Sequence, residues 1–504
     1  MAISVLAPAV GIIIGAASGR VVESLVKDVI MPAIEHMEAQ MKITQRSIIV
    51  ACMSATVLAA CGGDGGTGGM APTQATLFFF RAADPTSGAE LWTSDGSESG
   101  TRLVKDIYPG GNGANLRELT FFNGELYFSA YQGQWGNELW KTDGSESGTV
   151  LVKDIRTGLA DASPRGLTVF DGALYFVATD DSNGDELWKT DGTANGTSTV
   201  ADVNPGPGGS SPGQLTTFNG ALYFVANDGT NGFELWKTDG TAAGTVMNKD
   251  INPLGSSTPE SLTAINATLY FSATDEQGDR ELWKSDGTGA GTVRVKDIAP
   301  GTTGSWPENF IVLNDTLYFT ATNGTDDASL WKSDGSEAGT TLVKDFIPAP
   351  GGNPPEAFIV FNGALYFRAD DGTSGNELWK SDGTPGGTVM VKDIDPGGDS
   401  FPDWFTVSGN ALYFTASHPA YGTELWKTDG TDAGTELVKD IRVGPSGSSP
   451  QWLASVNGRL VFSANDGISG DEPWMSDGSD AGTIPVKDIN PGSGDSSPQE
   501  FVGF

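Results

Sequence analysis

The sequence predicts an all-β chain, a single β-propeller of about nine four-stranded blades closed by its C-terminal strand and preceded by hydrophobic N-terminal helical segments. Three observations predict this fold: a tryptophan that recurs every 47 or 48 residues, strand-like runs in fixed phase with it, and a last repeat that breaks off after one run. The nine tryptophans are Trp92, Trp140, Trp188, Trp236, Trp283, Trp331, Trp379, Trp426 and Trp474.

Each repeat of residues 77–504 contains four strand-like runs. An apolar run such as Leu126-Tyr127-Phe128 is followed by Glu-Leu-Trp-Lys, then by Val-Lys-Asp-Ile, and then by Leu-Thr-x-Phe. The apolar runs do not alternate with polar residues, which predicts strands buried on both faces. Pairs such as Asn123-Gly124 precede the apolar run and tolerate the positive φ of a two-residue hairpin. Four antiparallel strands per repeat are typical of a propeller blade.

The two ends of the repeat region predict that the ring closes. The region opens at Leu77 without a Leu-Thr-x-Phe run, and it ends on a lone copy of that run, Gln499 to Phe504. This last copy supplies the strand that the first blade lacks, so that no sheet edge is left unpaired.

Charge and composition exclude several classes of function. The net charge is −35, and all of it lies beyond residue 61, because residues 1–61 carry four basic and four acidic residues. Such a surface repels nucleic acid and anionic lipid. Both cysteines, Cys52 and Cys61, precede the repeats, so the repeats have no disulfide and no thiolate nucleophile. The only histidines are His36 and His418, which leaves little for serine–histidine chemistry.

Residues 1–40 differ from the rest of the chain. Gly11, Gly15 and Gly19 stand at four-residue spacing in an apolar stretch, which suits close helix packing in a membrane. Residues 9–32 resemble the first transmembrane helix of the bacterial large-conductance mechanosensitive channel. The rest of that family's pattern is missing, so the resemblance implies a channel-like fragment, from a fusion or from a misplaced start. A channel formed by residues 1–40 is the third hypothesis for function.

Residues 41–61 have the layout of a signal peptide. Lys42 and Arg46 precede a short apolar region that ends in Leu58-Ala59-Ala60-Cys61. This ending resembles the lipobox of bacterial lipoproteins, which implies that Cys61 is the lipidated residue. An ordinary secretory signal with a chance cysteine is the alternative. Residues 62–76 follow as a glycine-rich tether.

Two sets of aromatic residues have different predicted roles. The nine repeated tryptophans stand mid-strand at one phase, which predicts packing between sheets, although aromatic platforms for sugars are the alternative. Trp306, Trp404 and Trp452 lie near the start of the Leu-Thr-x-Phe run and are not repeated, so we expect them on a ligand-facing surface.

Two aspartates per repeat are candidates for turns or for calcium. In the first set each aspartate precedes a glycine, which predicts that its carboxylate closes the turn, with calcium as the alternative. The members are Asp95, Asp143, Asp191, Asp239, Asp286, Asp334, Asp382, Asp429 and Asp477. The second set, at the end of the Val-Lys-Asp-Ile run, has the same predicted turn role. Its members are Asp106, Asp154, Asp202, Asp250, Asp297, Asp345, Asp393, Asp440 and Asp488.

Counting along the hairpin predicts that Glu138 faces Lys153 as a cross-strand ion pair. His418 and Arg368 are single departures from the repeat and do not form a catalytic cluster. No catalytic, cofactor-binding or confident metal-ligating residue is assigned.

The repeats resemble the bacterial family of ELWxxDGT-repeat surface proteins. Glu138-Leu139-Trp140 and Asp191-Gly192-Thr193 show the two halves of that signature. The leading hypothesis is a non-enzymatic, monomeric lipoprotein of the outer membrane or cell surface, whose propeller binds an extracellular protein or glycan. The alternative is an extracellular polysaccharide hydrolase or lyase that uses carboxylates, with or without calcium.

Overall fold

The computed structural model describes residues 77–302, 304–324, 329–346 and 354–503, which form 36 strands in nine sheets of four. The sheets are the blades of a nine-bladed propeller, as predicted. Within a blade the strands are antiparallel, and the Leu-Thr-x-Phe strands of neighbouring blades contact one another around the ring. These strands therefore line the central channel.

The strands are numbered along the chain and fall into four positions. The inner strands are β4 (Arg117–Phe122), β8 (Arg165–Phe170), β12 (Gly213–Phe218), β16 (Glu260–Ile265), β20 (Glu308–Leu313), β24 (Glu356–Phe361), β28 (Asp403–Ser408), β32 (Gln451–Val456) and β36 (Gln499–Gly503). The second strands are β1 (Phe78–Asp84), β5 (Glu125–Gln132), β9 (Ala173–Asp180), β13 (Ala221–Asn227), β17 (Thr268–Thr274), β21 (Thr316–Ala321), β25 (Ala364–Ala369), β29 (Ala411–His418) and β33 (Arg459–Asn465). The third strands are β2 (Gly88–Ser94), β6 (Gly136–Thr142), β10 (Gly184–Thr190), β14 (Phe233–Thr238), β18 (Arg280–Ser285), β22 (Ser329–Ser333), β26 (Glu377–Ser381), β30 (Gly422–Thr428) and β34 (Asp471–Ser476). The outer strands are β3 (Arg102–Lys105), β7 (Val150–Lys153), β11 (Ser198–Ala201), β15 (Val246–Lys249), β19 (Val293–Lys296), β23 (Thr341–Lys344), β27 (Val389–Lys392), β31 (Glu436–Lys439) and β35 (Ile484–Pro485).

Blade 1 closes the ring in the predicted way. It combines β36 with β1, β2 and β3, so the end of the chain supplies its inner strand. Phe501 of β36 stacks on Phe80 of β1 with ring centroids 5.2 Å apart. The same residues pack against Val456 and Met475 of blade 9 in one buried cluster. Blades 2 to 9 follow along the chain from β4.

The hydrophobic core lies between blades. Trp140 is buried, and its cluster joins Leu126 and Phe128 of blade 2 to Phe79 and Leu91 of blade 1. Equivalent clusters lie between the other blades. The prediction that the repeated tryptophans pack between sheets is confirmed. The Asn123-Gly124 hairpin is confirmed as well, because both residues have positive φ, 51° and 79°.

The predictions for residues 1–76, including the channel-like fragment, the signal peptide, the tether and lipidation of Cys61, lie outside the described residues. Within the described part of the chain, no helix is long and apolar enough to cross a membrane.

Candidate functional site at the channel mouth

The Asp-Gly turns have a structural role in each blade. Asp143 Oδ1 accepts hydrogen bonds from the Ser145 backbone N–H at 2.8 Å and from the Ser145 hydroxyl at 2.7 Å. These donors hold the pKa of the Asp143 carboxyl below its ordinary value. A Cβ at Gly148 would lie 2.1 Å from Asp143 Oδ1, so only glycine fits there. The same bonds and the same close approach recur at the other eight turns, which confirms the predicted turn role.

The glutamate of each Glu-Leu-Trp motif is buried inside its blade. Glu138 accepts hydrogen bonds from the backbone N–H groups of Ile155 at 2.9 Å and Arg156 at 3.1 Å, just beyond the outer strand. Burial raises the pKa of Glu138 to about 8. The corresponding carboxyl groups of Glu90, Glu377 and Glu472 have pKa values raised by burial to about 7. These carboxyl groups fasten the loop that leads to the next blade.

The predicted ion pair between Glu138 and Lys153 is wrong. A register shift between Leu139 and Trp140 places Lys153 beside Leu139 in the ladder. Lys153 Nζ instead donates to the Thr197 carbonyl of the next blade at 2.6 Å.

The second set of aspartates lies beside these buried glutamates. Asp154 Oδ2 accepts a 3.4 Å hydrogen bond from Gly158 N–H, which agrees with the predicted turn role, while its buried Oδ1 has no hydrogen-bond partner. In blade 6 a serine replaces the glutamate, and the Ser329 hydroxyl donates to Asp345 Oδ1 at 3.1 Å. In the other blades, the O–H group of a protonated glutamate could donate to the aspartate in the same way.

A β-bulge near the start of each inner strand gives the channel mouth its shape. The second residue of each inner strand has positive φ, and the ladder register shifts there. The nine residues are Glu500, Glu118, Gly166, Gln214, Ser261, Asn309, Ala357, Trp404 and Trp452, from blade 1 to blade 9. The backbone repeats here, but the side chains do not.

Blades 8 and 9 place a pair of tryptophans at this position. The ring centroids of Trp404 and Trp452 lie 5.2 Å apart with an angle of 45° between the planes. Their φ values are 54° and 56°, a region in which a bulky residue is an outlier and costs about 1–3 kcal/mol. Three residues before the bulge, Trp306 and Phe401 also have positive φ, and they are 55% and 50% exposed. The sequence singled out Trp306, Trp404 and Trp452 but missed Phe401, and the expected ligand-facing role of the three tryptophans stays a prediction.

Carboxylates beside these aromatic residues are held in ion pairs. Arg368 contacts Glu356 at 2.5 Å and Asp403 at 3.3 Å, which links blades 7 and 8. Arg280 contacts Glu260 at 2.7 Å, and its guanidinium lies 5.6 Å from the ring centroid of Trp306. Arg368 is therefore part of the mouth, a role that its single occurrence in the sequence did not reveal.

Within the described residues, one group of carboxylates has spacing that suits a metal ion. Asp279, Glu281 and Asp297 lie close together in blade 5. Arg294 already contacts Asp279 at 2.7 Å and Asp297 at 3.8 Å, so its single positive charge offsets part of the negative charge of this group. His418 lies at the far end of β29, where it stacks on Tyr421 at 4.8 Å.

Comparisons with known proteins cover different parts of the chain. The family model described as large-conductance mechanosensitive channel, MscL, matches residues 3–63, which agrees with the predicted resemblance of residues 9–32 and extends past Cys61. No curated protein matches the chain.

Similar solved structures include a prolyl endopeptidase, at 14% identity and a TM-score of 0.39 over 64% of this chain and 49% of that chain. A puromycin-hydrolyzing peptidase of Mycobacterium tuberculosis is similar at 11% identity and a TM-score of 0.38, over 70% of this chain and 57% of that chain. Oligopeptidase B of Leishmania major gives 11% identity and a TM-score of 0.39, over 70% and 53%. The chain spans about half the length of these structures.

Proposed function

We propose that this protein is a non-enzymatic, lipid-anchored surface protein whose propeller binds a glycan at the channel mouth. The observation that carries the proposal is the Trp404–Trp452 pair. Two large rings occupy a left-handed backbone position where blade 3 has glycine and blade 7 has alanine. Strain of this kind is kept where the surroundings and the function require it.

The chemistry around the pair suits a sugar. Aromatic faces pack against the apolar face of a pyranose ring, and carboxylates accept hydrogen bonds from its hydroxyl groups. Asp403 is adjacent to Trp404 in the chain, and Arg368 links it to Glu356. Because arginines hold these carboxylates in ion pairs, they are better suited to orient a ligand than to transfer protons.

The proposal includes a lipid anchor at Cys61. The lipobox-like ending at Cys61, the glycine-rich tether and the resemblance to ELWxxDGT-repeat surface proteins support display outside the cell. The intact mass of the mature protein tests this part. A chain that begins at Cys61 and carries acyl groups is the expected result, and a chain that retains residues 1–60 contradicts it.

A glycan array with the folded repeat region tests the binding proposal. Substituting both Trp404 and Trp452 by alanine removes the aromatic pair and should weaken binding at least ~100-fold, since stacked aromatic residues act as hot spots. Leu254→Ala, at an exposed site 83% accessible, is the control. Unchanged affinity in the double variant refutes the platform. Release of shorter sugars on incubation supports the hydrolase or lyase instead.

A further inference from the structure

The bulges of two inner strands each bind a carboxylate from the preceding blade. Glu118 Oε2 accepts hydrogen bonds from the backbone N–H groups of Gly166 at 2.9 Å and Leu167 at 3.4 Å. One blade earlier, the Glu500 carboxylate accepts from the N–H groups of Leu119, at 3.4 Å, and Glu118. A bulge therefore presents two adjacent N–H donors, which is a recurrent way to hold an anion.

Blade 3 lacks a glutamate that could bind the bulge of blade 4. Gly166 stands where blades 1 and 2 have glutamate, and its φ of 66° is close to the 69° of Glu118. The bulge of blade 4 has Gln214 and Leu215 at the positions of Gly166 and Leu167, and neither is paired with β13 in the ladder. Its two donors therefore have no glutamate from the preceding blade.

A cavity of about 440 Å³ lies at this place. Its lining includes Gly166, Gln214, Leu215, Arg165 and Glu118. Arg165 supplies positive charge but also pairs with Asp185, and Glu118 is already held by its own two N–H donors. The volume suits a single sugar ring or an amino acid.

We propose that this cavity binds the carboxylate of an acidic sugar, held by the N–H groups of Gln214 and Leu215 and by the guanidinium of Arg165. The carboxylates of Glu500 and Glu118 show the expected geometry, because each accepts hydrogen bonds from the two N–H groups of a bulge. The inference rests on the proposed glycan binding and specifies a short ligand that contains uronic acid, because the net charge of −35 would repel a long polyanion.

Trigalacturonate and its fully methylated ester are the probes, because esterification removes the negative charge of each carboxylate and adds only a methyl group. Calorimetry should show the ester binding the wild-type protein at least ~tenfold more weakly, since N–H groups and a guanidinium bond an ionised carboxylate more strongly than a neutral ester. Gly166→Glu gives blade 3 the glutamate that blades 1 and 2 have at this position. Its carboxylate should occupy the N–H groups of Gln214 and Leu215 and weaken binding of the acid by a similar factor.

Two variants control for this change. A Cβ at Gly166 meets only Leu215 Cδ1, at 3.7 Å, and Ala357 shows that alanine tolerates the conformation, so Gly166→Ala should bind like the wild type. Val246→Glu adds the same charge on the exposed outer strand of blade 4, away from the inner strands, and should also leave binding unchanged. Thermal unfolding of each variant establishes that it is folded.

The outcomes separate the two proposals. If the acid and its ester bind equally and only the Trp404 and Trp452 double variant loses binding, the carboxylate site is wrong and the aromatic platform stands. If Gly166→Glu blocks the acid while the tryptophan variant binds normally, the carboxylate site stands and the platform is wrong. Equal binding of the acid by wild-type protein and Gly166→Glu overturns the carboxylate site.

Discussion

The buried Glu138 of blade 2 makes the stability of the ring depend on pH. The Glu138→Gln variant should lose the part of this pH dependence that Glu138 causes. Burial raises the pKa of Glu138 from 4.5 to about 8 in the folded protein. Each pH unit between these values corresponds to ~1.36 kcal/mol of free energy of unfolding. The difference of about 3.5 units therefore gives an upper bound of about 5 kcal/mol.

The sign follows from the raised pKa. Below pH 4.5 the carboxyl group is protonated in both the folded and the unfolded chain, so its contribution is fully present. As the pH rises toward about 8, the unfolded chain releases the proton first, and the stability falls. Glutamine stays neutral at every pH of the experiment, so the variant should escape this loss.

Thermal unfolding between pH 5 and 8.5 measures the effect. The difference in Tm between Glu138→Gln and the wild type should grow in favour of the variant as the pH rises. The other buried glutamates titrate in both proteins and cancel in this difference. Glu146→Gln, in an exposed turn of the same blade, is the charge-matched control. Parallel Tm curves for Glu138→Gln and the wild type would refute the reasoning.

Two further predictions concern the turns and the closure of the ring. Gly148→Ala brings a Cβ against Asp143 Oδ1 and should lower the free energy of unfolding by about 1–3 kcal/mol. Gly213→Ala, where a Cβ has open space and φ is not positive, should not lower it. Denaturant unfolding measures both variants, and equal free energies of unfolding would contradict the steric argument. Deleting residues 499–504 removes β36 and uncovers the buried rings of blade 1, so calorimetry should show a lower Tm and small-angle scattering a looser first blade. An unchanged Tm would mean that this strand does not close the ring.

The architecture could be predicted because the signals that determine it recur. Trp140 and its equivalents must lie between sheets, and the lone run at Gln499 has one unpaired sheet edge to join. The turn role of Asp143 followed from local chemistry alone, because its donors lie two residues away. Such features need no knowledge of the distant chain.

The errors arise where the strand register shifts. An extra residue opposite Leu139 moves Lys153 by one position, which removes the expected ion pair and leaves Glu138 inside the blade. The inner bulges have no signature either, because residues as different as Gly166 and Trp404 share one backbone conformation. The Gln214–Leu215 donor pair is defined by that conformation, so sequence patterns could not reveal it.

The lysine contacts between blades all run in one direction, from a blade to the blade that follows it around the ring. Lys105 reaches the Thr149 carbonyl of blade 2 at 2.7 Å, and Lys487 of blade 9 reaches the Thr101 carbonyl of blade 1 at 3.0 Å by the same geometry. The junction between blades 9 and 1 therefore has the same lysine–carbonyl contact as the junction between blades 1 and 2. Ala201 replaces the lysine in blade 3, but a circularly permuted chain that starts at a different blade would keep the lysine–carbonyl contacts that the other blades make.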